Sequence, residues 1–445
     1  MRPDILSPER LDRPFADPLV ARLFPVLATN VPWGVERMSA ALAELGDPQL
    51  AVPALHVGGT NGKGSVAATL ASVLSADGRR VGLYTSPHLC SFGERIQIGG
   101  EPLTAARLEA YANALRPLIT RHELTFFEAA TLLGFQAFAS EGVEVAVMEV
   151  GLGGRLDATN VVNPLVTAVT NVVLDHADYL GSDLPTIAAE KAGIAKAGVP
   201  LVTAERDPEL LEVLARACTE RGAPLQRVDP DAIEELEITS DHTAFTLETG
   251  GWGRLRLRTP LAGVHQAINT AVAVAMLAEL PSRLRPSADA LQQGIARVRW
   301  PGRNQIEWSA DGCWLFDVAH NPAGMGSLTA LLDRIGLPRP RVALLAVLAD
   351  KDWLHMLPSL CARMERAFLT VPPSTPEERR WDPTGAAAML QRVLGPRCGL
   401  DAVLDFGAAL EAARAAAGRG TVVVTGSVYT VGDALRVLGR CPPAE

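Results

Sequence analysis

Lysine is nearly missing from this chain. Of 41 basic residues in 445 positions only four are lysine: Lys63, Lys191, Lys196 and Lys351. Arginine fills the general cationic role, a bias that singles lysine out for places needing a compact or reactive amine. Aromatic residues make up only 5%. No apolar run approaches the ~20 residues of a membrane-spanning helix. The opening MRPDILSPERLDRPFADP carries charges and prolines where a secretory leader has an apolar core. The six cysteines, at 90, 218, 313, 361, 398 and 441, lie far apart and form no metal-ligand pair. Reduced thiols in a cytoplasmic setting are expected. A net charge of −9 and a pI near 5.5 lack the positive surface of a non-specific nucleic-acid binder. The expectation is a soluble globular protein of two or three domains, monomeric, with no nucleic-acid or membrane partner.

What is present is organised around HVGGTNGKGSVAATLASVL, residues 56–74. A short apolar strand, Ala54–Val57, leads into Gly58-Gly59-Thr60-Asn61-Gly62-Lys63-Gly64-Ser65. Val66, Leu70, Val73 and Leu74 then recur at helical spacing. Strand, glycine turn and helix make a phosphate-binding loop. Glycines let backbone N–H groups turn inward on an anion, and the helix N-terminus adds partial positive charge. Lys63 can reach the outer phosphates and Ser65 can ligate Mg²⁺. The spacing departs from the general pattern: three residues separate Gly58 from Gly62, and Gly64 stands between Lys63 and Ser65.

Further polar residues fall at the carboxyl ends of strands, where open α/β sheets bind ligands. Val81–Thr85 reads as a strand ending in Ser86-Pro87-His88-Leu89, followed by Gly93-Glu94-Arg95-Ile96. LTFFE at 124–128 precedes a helix over Ala129–Ser140. Val143–Val150 reads as a buried parallel strand. Glu149, near its end, is costly among valines unless paired or metal-bound. Gly151-Leu152-Gly153-Gly154-Arg155-Leu156-Asp157-Ala158-Thr159-Asn160 follows. Ala168–Val172 is the next strand, leading to Asp175-His176, and a helix over Leu184–Lys196 carries Glu190 and Lys191. Residues 15–50 read as helical with a break at Asn30–Gly34, and 225–258 as short strands and turns. His265, Gln266 and Asn269 open an Ala/Val-rich helix. RVRWPGR at 297–303 marks a boundary. Strands then recur at Cys313–Val318, Val342–Leu348, Ala367–Val371 and Thr421–Thr425, with helices between, including Met325–Ile335, Pro383–Leu394 and Ala408–Ala417.

GTNGKGS, TSPHL with ERI, EVGLGGRLDATN, HQ with Asn269, and DVAHNP occur in the order found in folylpolyglutamate and dihydrofolate synthases, and the chain resembles that branch of the Mur ligase superfamily along nearly its whole length. The resemblance implies an α/β fold. A P-loop ATPase domain with a mainly parallel sheet, residues 1–298, would precede a smaller Rossmann-like domain, 299–445. It implies ATP held by Gly59, Thr60, Asn61, Gly62, Lys63, Gly64, Ser65, Asn269, Arg303 and Asp317. Two Mg²⁺ ions would be held by Ser65, Ser86, Glu149, His176 and a carbamylated Lys191. A folate or pterin would meet Phe127, Asp157 and Arg155, and glutamate would meet His320 and Ser427. Lys63, Lys191 and His320 are the implied catalytic residues. Val318 stands where the family has glycine in DGAHNP. The implied activity is ATP-dependent addition of L-glutamate to dihydropteroate or to folate polyglutamates through an acyl phosphate. The alternatives are a folylpolyglutamate synthase alone, a cell-wall Mur-type ligase, or a P-loop kinase or hydrolase.

Overall fold

A computed structural model describes residues 18–25, 27–28, 31–310 and 312–441. The first sheet contains β1 (Ala54–Gly58), β2 (Val81–Tyr84), β3 (Ile96–Ile98), β4 (Glu101–Pro102), β5 (Val145–Glu149), β6 (Pro164–Val169), β7 (Leu201–Thr203) and β8 (Leu225–Arg227). Their order is β4-β3-β2-β5-β1-β6-β7-β8. The strands from β2 to β8 run parallel, and β3 and β4 extend the edge antiparallel. β9 (Glu234–Ile238), β10 (Thr243–Glu248) and β11 (Arg254–Thr259) form a small antiparallel sheet. The last sheet holds β12 (Gln305–Ser309), β13 (Gly312–Asp317), β14 (Arg341–Leu345), β15 (Arg366–Leu369), β16 (Gly399–Ala402) and β17 (Thr421–Thr425), in the order β12-β13-β17-β14-β15-β16. Only β12 is antiparallel there.

β1 and β5 are buried along their whole length because helices cover both faces of the sheet. On one side Leu55, Val57, Val145 and Val147 join the core beneath the helices Lys63–Ala76 and Val264–Ala278. On the other, Ala54, Ala146 and Met148 pack with the helix Phe126–Ser140. Thr125 caps that helix in a capping box with Glu128, which places Phe127 in its first turn instead of before it. The six-stranded sheet, called the second sheet from here on, has its own two cores, one on each face.

Several expected elements differ. The helical stretch 15–50 is three short helices, Pro18–Leu23, Glu36–Glu44 and Pro48–Ala51; residues 15–17, 26, 29 and 30 lie outside the described residues. The strand expected at Ala168–Val172 runs instead over Pro164–Val169. Asn163-Pro164 reads as a turn, yet proline costs no ladder bond at the first residue of a strand. Past Val169 the backbone still bonds the phosphate loop, Thr170 N donating to the Gly58 carbonyl at 3.0 Å and Thr60 N to the Asn171 carbonyl at 2.9 Å, and the Thr170 and Asn171 side chains both donate to the Asn61 carbonyl, at 2.7 and 3.0 Å. The helix expected to reach Lys196 stops at Ala192, where Gly193 packs on the backbone and Cβ of Arg155. Helices Ala288–Arg297, Trp353–Cys361 and Val428–Val437 were not legible. The cysteines need a correction as well. Cys90 and Cys441, 351 positions apart, form a disulfide, while Cys218, Cys313, Cys361 and Cys398 are free and buried. Distance along the chain says nothing about distance after folding, and here the helix Val428–Val437 returns the second sheet's last turn to the loop after β2.

The helix Ala288–Arg297 lies so close to Lys63–Ala76 that a methyl at Gly294 would run into the Val73 backbone. Gly294→Ala is therefore expected to lower stability by about 1–3 kcal/mol in a urea titration. An unchanged midpoint would mean the helices have room to separate.

Candidate active site

The phosphate loop leaves β1 at its carboxyl end. Gly59 has φ 129° and Gly62 has φ 86°, and a side chain at Gly62 would collide with Asn269. Only glycine meets both demands. A methyl at Gly64 would sit 2.6 Å from the Trp300 ring, which accounts for the glycine between Lys63 and Ser65. The loop is braced by Asn171, whose side-chain oxygen accepts from Asn61 N at 3.0 Å. Lys63 Nζ donates to the Gly59 and Thr60 carbonyls at 3.2 and 3.1 Å, curling back over the turn it follows.

Glu149 ends β5 and is buried among apolar neighbours; one oxygen accepts from Ser86 N at 3.1 Å. Burial pushes its carboxyl up, opposed by the nearby Lys63 charge. Lys191 is 3% exposed and donates to the Gly59 carbonyl at 2.9 Å. Burial and the neighbouring Lys63 charge bring its amine down to about 7. Ser65 Oγ and His176 Nδ1 are buried atoms with no hydrogen-bond partner among the described residues.

These residues line one lobe of a cleft, about 400 Å³, between the two larger sheets. Across it, Asp317 ends β13 and accepts from the Asn304 and Ala319 amides at 2.8 and 2.9 Å. Arg303 and His320 complete that wall, while Asn269 stands beside Gly62 on the phosphate-loop side. A second lobe of about 200 Å³ adjoins it, lined by Trp33, Phe126, Phe127, Leu152, Asp157 and, from the second sheet, Ser427 and Tyr429. Ser86, His176, Arg303 and His320 face both lobes. A polar, phosphate-sized lobe opening onto an apolar one can hold a nucleotide and a flat organic acid side by side.

The Mur ligase middle-domain model matches residues 57–277. The dihydrofolate synthase/folylpolyglutamate synthase of Mycobacterium tuberculosis is 35% identical, over 93% of this chain and 92% of that protein. A Mycobacterium tuberculosis folylpolyglutamate synthase structure with ADP superposes with a TM-score of 0.87 at 34% identity, covering 96% of this chain and 100% of the other. A bifunctional folylpolyglutamate/dihydrofolate synthase structure with Mn, AMPPNP and L-glutamate bound gives 0.79 at 32% identity, covering 96% and 99%. This chain belongs to the folylpolyglutamate/dihydrofolate synthase family of Mur ligases.

Against the residue roles that membership implies, the cleft gathers every named nucleotide and metal candidate, together with Phe127, Asp157, His320 and Ser427. Arg155 is the exception. Its guanidinium donates to Glu190 Oε1 at 3.0 and 2.7 Å, it is half exposed, and it is not among the cleft walls. Ser427 has a structural duty too, capping the helix Val428–Val437 through Thr430 N.

A magnesium site fits the donor set. Among the described residues no three His, Cys, Asp or Glu side chains converge as a cage. Mg²⁺ ordinarily takes one or two protein oxygens and fills its remaining positions with water and phosphate. Glu149 and the unpartnered Ser65 hydroxyl supply that minimum, and Ser86, His176 and Lys191 line the same lobe.

Three residues that sequence reasoning left without a role join the sheets. Asp175 accepts from Lys351 Nζ at 2.5 Å and from Asn321 Nδ2 at 3.0 Å, and His320 Nε2 lies 3.3 Å away. Burial alone would raise Asp175, but the His320 contact and the surrounding positive charges hold it well below the usual carboxylate range. Asn321 and Asn61 exchange side-chain amides at 3.0 and 3.2 Å. The available signal was position: each of Asp175, Asn321 and Lys351 follows a strand of its sheet. Asp175→Asn would leave buried Lys351 without its counter-charge. A loss of about 3 kcal/mol, or a separate early transition of the second sheet, is expected on urea unfolding. A single unshifted transition would show that the pair does not hold the sheets together.

Proposed function

We propose that this protein joins the amino group of L-glutamate to a free carboxylate of dihydropteroate or of a folate polyglutamate, with ATP going to ADP and phosphate. The observation that carries this is the paired cleft: a phosphate loop with Lys63 and Glu149 in one lobe, opening onto an apolar lobe with Phe127 and Asp157. The relatives' names and their bound ADP, AMPPNP, Mn and L-glutamate support the same substrates here.

A carboxylate is a poor electrophile. Its oxygen attacks the γ-phosphorus of ATP, ADP leaves, and an acyl phosphate remains. The glutamate amine then attacks the acyl carbon, phosphate departs with the C–O bond, and the amine's proton passes to solvent or a nearby base. Lys63 is placed to offset charge on the transferring phosphoryl group. When bound, Mg²⁺ held by Ser65, Glu149 and their neighbours adds Lewis-acid neutralisation of the phosphates. Asp317 and Arg303 meet the nucleotide from the second sheet. His320 and Ser427 meet the incoming amino acid beside them. With both sheets in contact, water is kept from the acyl phosphate. Action as a cytoplasmic monomer completes the reading.

Lys191 has a chemical part in this reading. A buried amine near pKa 7 is substantially unprotonated at neutral pH and can add CO₂, releasing a proton and becoming an anionic carbamate suited to Mg²⁺. Arginine cannot make that change.

Purified protein given ATP, Mg²⁺ and labelled glutamate should form labelled product with dihydropteroate, with tetrahydrofolate, or with both, and ADP release should depend on the acceptor. ADP release indifferent to acceptor and glutamate would indicate a hydrolase instead. Lys63→Ala should abolish product while the melting temperature stays within a few degrees, since the lysine's partners are loop carbonyls; near-normal turnover would remove the ATP site from this loop. Lys191→Arg should lose as much kcat as Lys191→Ala. Wild-type kcat for Lys191→Arg at saturating Mg²⁺ would make Lys191 structural.

A further inference from the structure

β1 carries one residue its surroundings do not explain. Leu55 and Val57 fill the core on one face of the sheet, and Ala54 lies in the core on the other. His56 lies between them, fully buried, where an aliphatic side chain would satisfy the packing. Its Nδ1 is buried with no partner among the described residues. Its Nε2 lies 2.8 Å from Thr159 Oγ1, and Thr159 is itself fully buried. Thr159 Oγ1 in turn donates to Asp157 Oδ1 at 2.5 Å, and Thr159 N donates to the same oxygen at 2.9 Å. The other oxygen, Oδ2, accepts from Leu152 N at 2.9 Å. Asp157 is 2% exposed and forms part of the wall of the apolar lobe.

The hydrogens in this chain can run only one way. An ionised Asp157 has none to give, so the single Thr159 hydroxyl hydrogen goes to it. The hydroxyl oxygen is then free to accept, and His56 must supply Nε2–H. The ring is thereby held as one neutral tautomer, with the bare Nδ1 lone pair left over. Burial works in the same direction, bringing the imidazole down to about 3. For Asp157 burial pushes the carboxyl up, and the Thr159 and backbone donors oppose that. An unpartnered ring nitrogen deep in a core strand makes sense where the other nitrogen does a necessary job.

We infer that His56 and Thr159 are positioning residues, forming a buried one-way hydrogen-bond relay that fixes the orientation of Asp157 as the acceptor for N–H groups of the bicyclic acceptor substrate. The inference rests on the reading of the apolar lobe as the pterin site. Neither residue faces the cleft, so their effect is on acceptor recognition through Asp157 and not on phosphoryl transfer.

The test is steady-state kinetics with dihydropteroate and tetrahydrofolate as separate acceptors, measuring the KM of acceptor and of ATP for each variant. Thr159→Val, nearly isosteric but without the donor, should raise acceptor KM roughly tenfold, the scale of one hydrogen bond to a charged group. ATP KM and kcat should stay within about twofold. Thr159→Ser should restore acceptor KM. His56→Leu should act like Thr159→Val, whereas His56→Gln, which keeps an N–H at similar reach, should stay close to wild type; this second pair decides the matter should Thr159→Val fail to fold. Parallel rises in acceptor and ATP KM, equal behaviour of His56→Leu and His56→Gln, or an unchanged acceptor KM would each overturn the relay. Asp157→Asn separates the two levels. If it raises acceptor KM while Thr159→Val does not, the relay fails and the pterin reading stands. If Asp157→Asn leaves acceptor KM unchanged, the pterin reading fails and the relay falls with it.

Discussion

A single buried carboxylate, Asp175, anchors the closed arrangement of this molecule. It takes Lys351 and Asn321 from the second sheet and lies beside His320. Buried charge is tolerated only when fully partnered, so Asp175 on the first sheet and Lys351 on the second must meet or both must be hydrated. The cleft depends on that meeting, because neither sheet alone encloses it. Asp317, Arg303 and His320 come from one side and the phosphate loop, Glu149 and Lys191 from the other. The reciprocal amide pair of Asn61 and Asn321 carries the joint into the phosphate loop itself. Separating the sheets would therefore loosen the nucleotide site as well as open the route to the acceptor.

Around that joint the cleft is assembled from strand ends. β1, β5 and β13 deliver Gly58, Glu149 and Asp317 to their carboxyl termini, where the backbone turns and polar groups lie free of the ladder. The same apolar packing that buries β5 raises the Glu149 carboxyl, and the same burial brings Lys191 close to neutrality. The loop after β2 ties the two sheets on a second side. Arg436 Nη2 donates to the Cys90 carbonyl at 3.0 Å, and Cys90 is disulfide-bonded to Cys441. Ser86, facing both lobes, thus sits in a loop held by the second sheet.

Much of this was legible in the residues alone. GTNGKGS between an apolar strand and a helical repeat requires glycine for backbone geometry, and the structure meets that requirement at Gly59 and Gly62. Glu149 stood out because a carboxylate among valines needs a reason. The alternation of strands and helices dictated two parallel sheets. Boundaries were less legible: the backbone of Thr170 and Asn171 still bonds the phosphate loop beyond the last strand residue, and proline opens a strand at Pro164.

The residues by themselves determined the chemistry of the loops and the class of fold, because periodicity and glycine placement are local properties. Contacts between distant segments could be decided only in three dimensions. Arg155 left the expected pterin site for Glu190, since a nearby carboxylate on the next helix offered a two-pronged ion pair. Cys90 found Cys441, Asp175 found Lys351, and His56 found Asp157 through Thr159. Each of these pairings joins residues that no pattern along the chain connects, and each exists because burial obliges a polar group to find whatever partner the packing brings within reach.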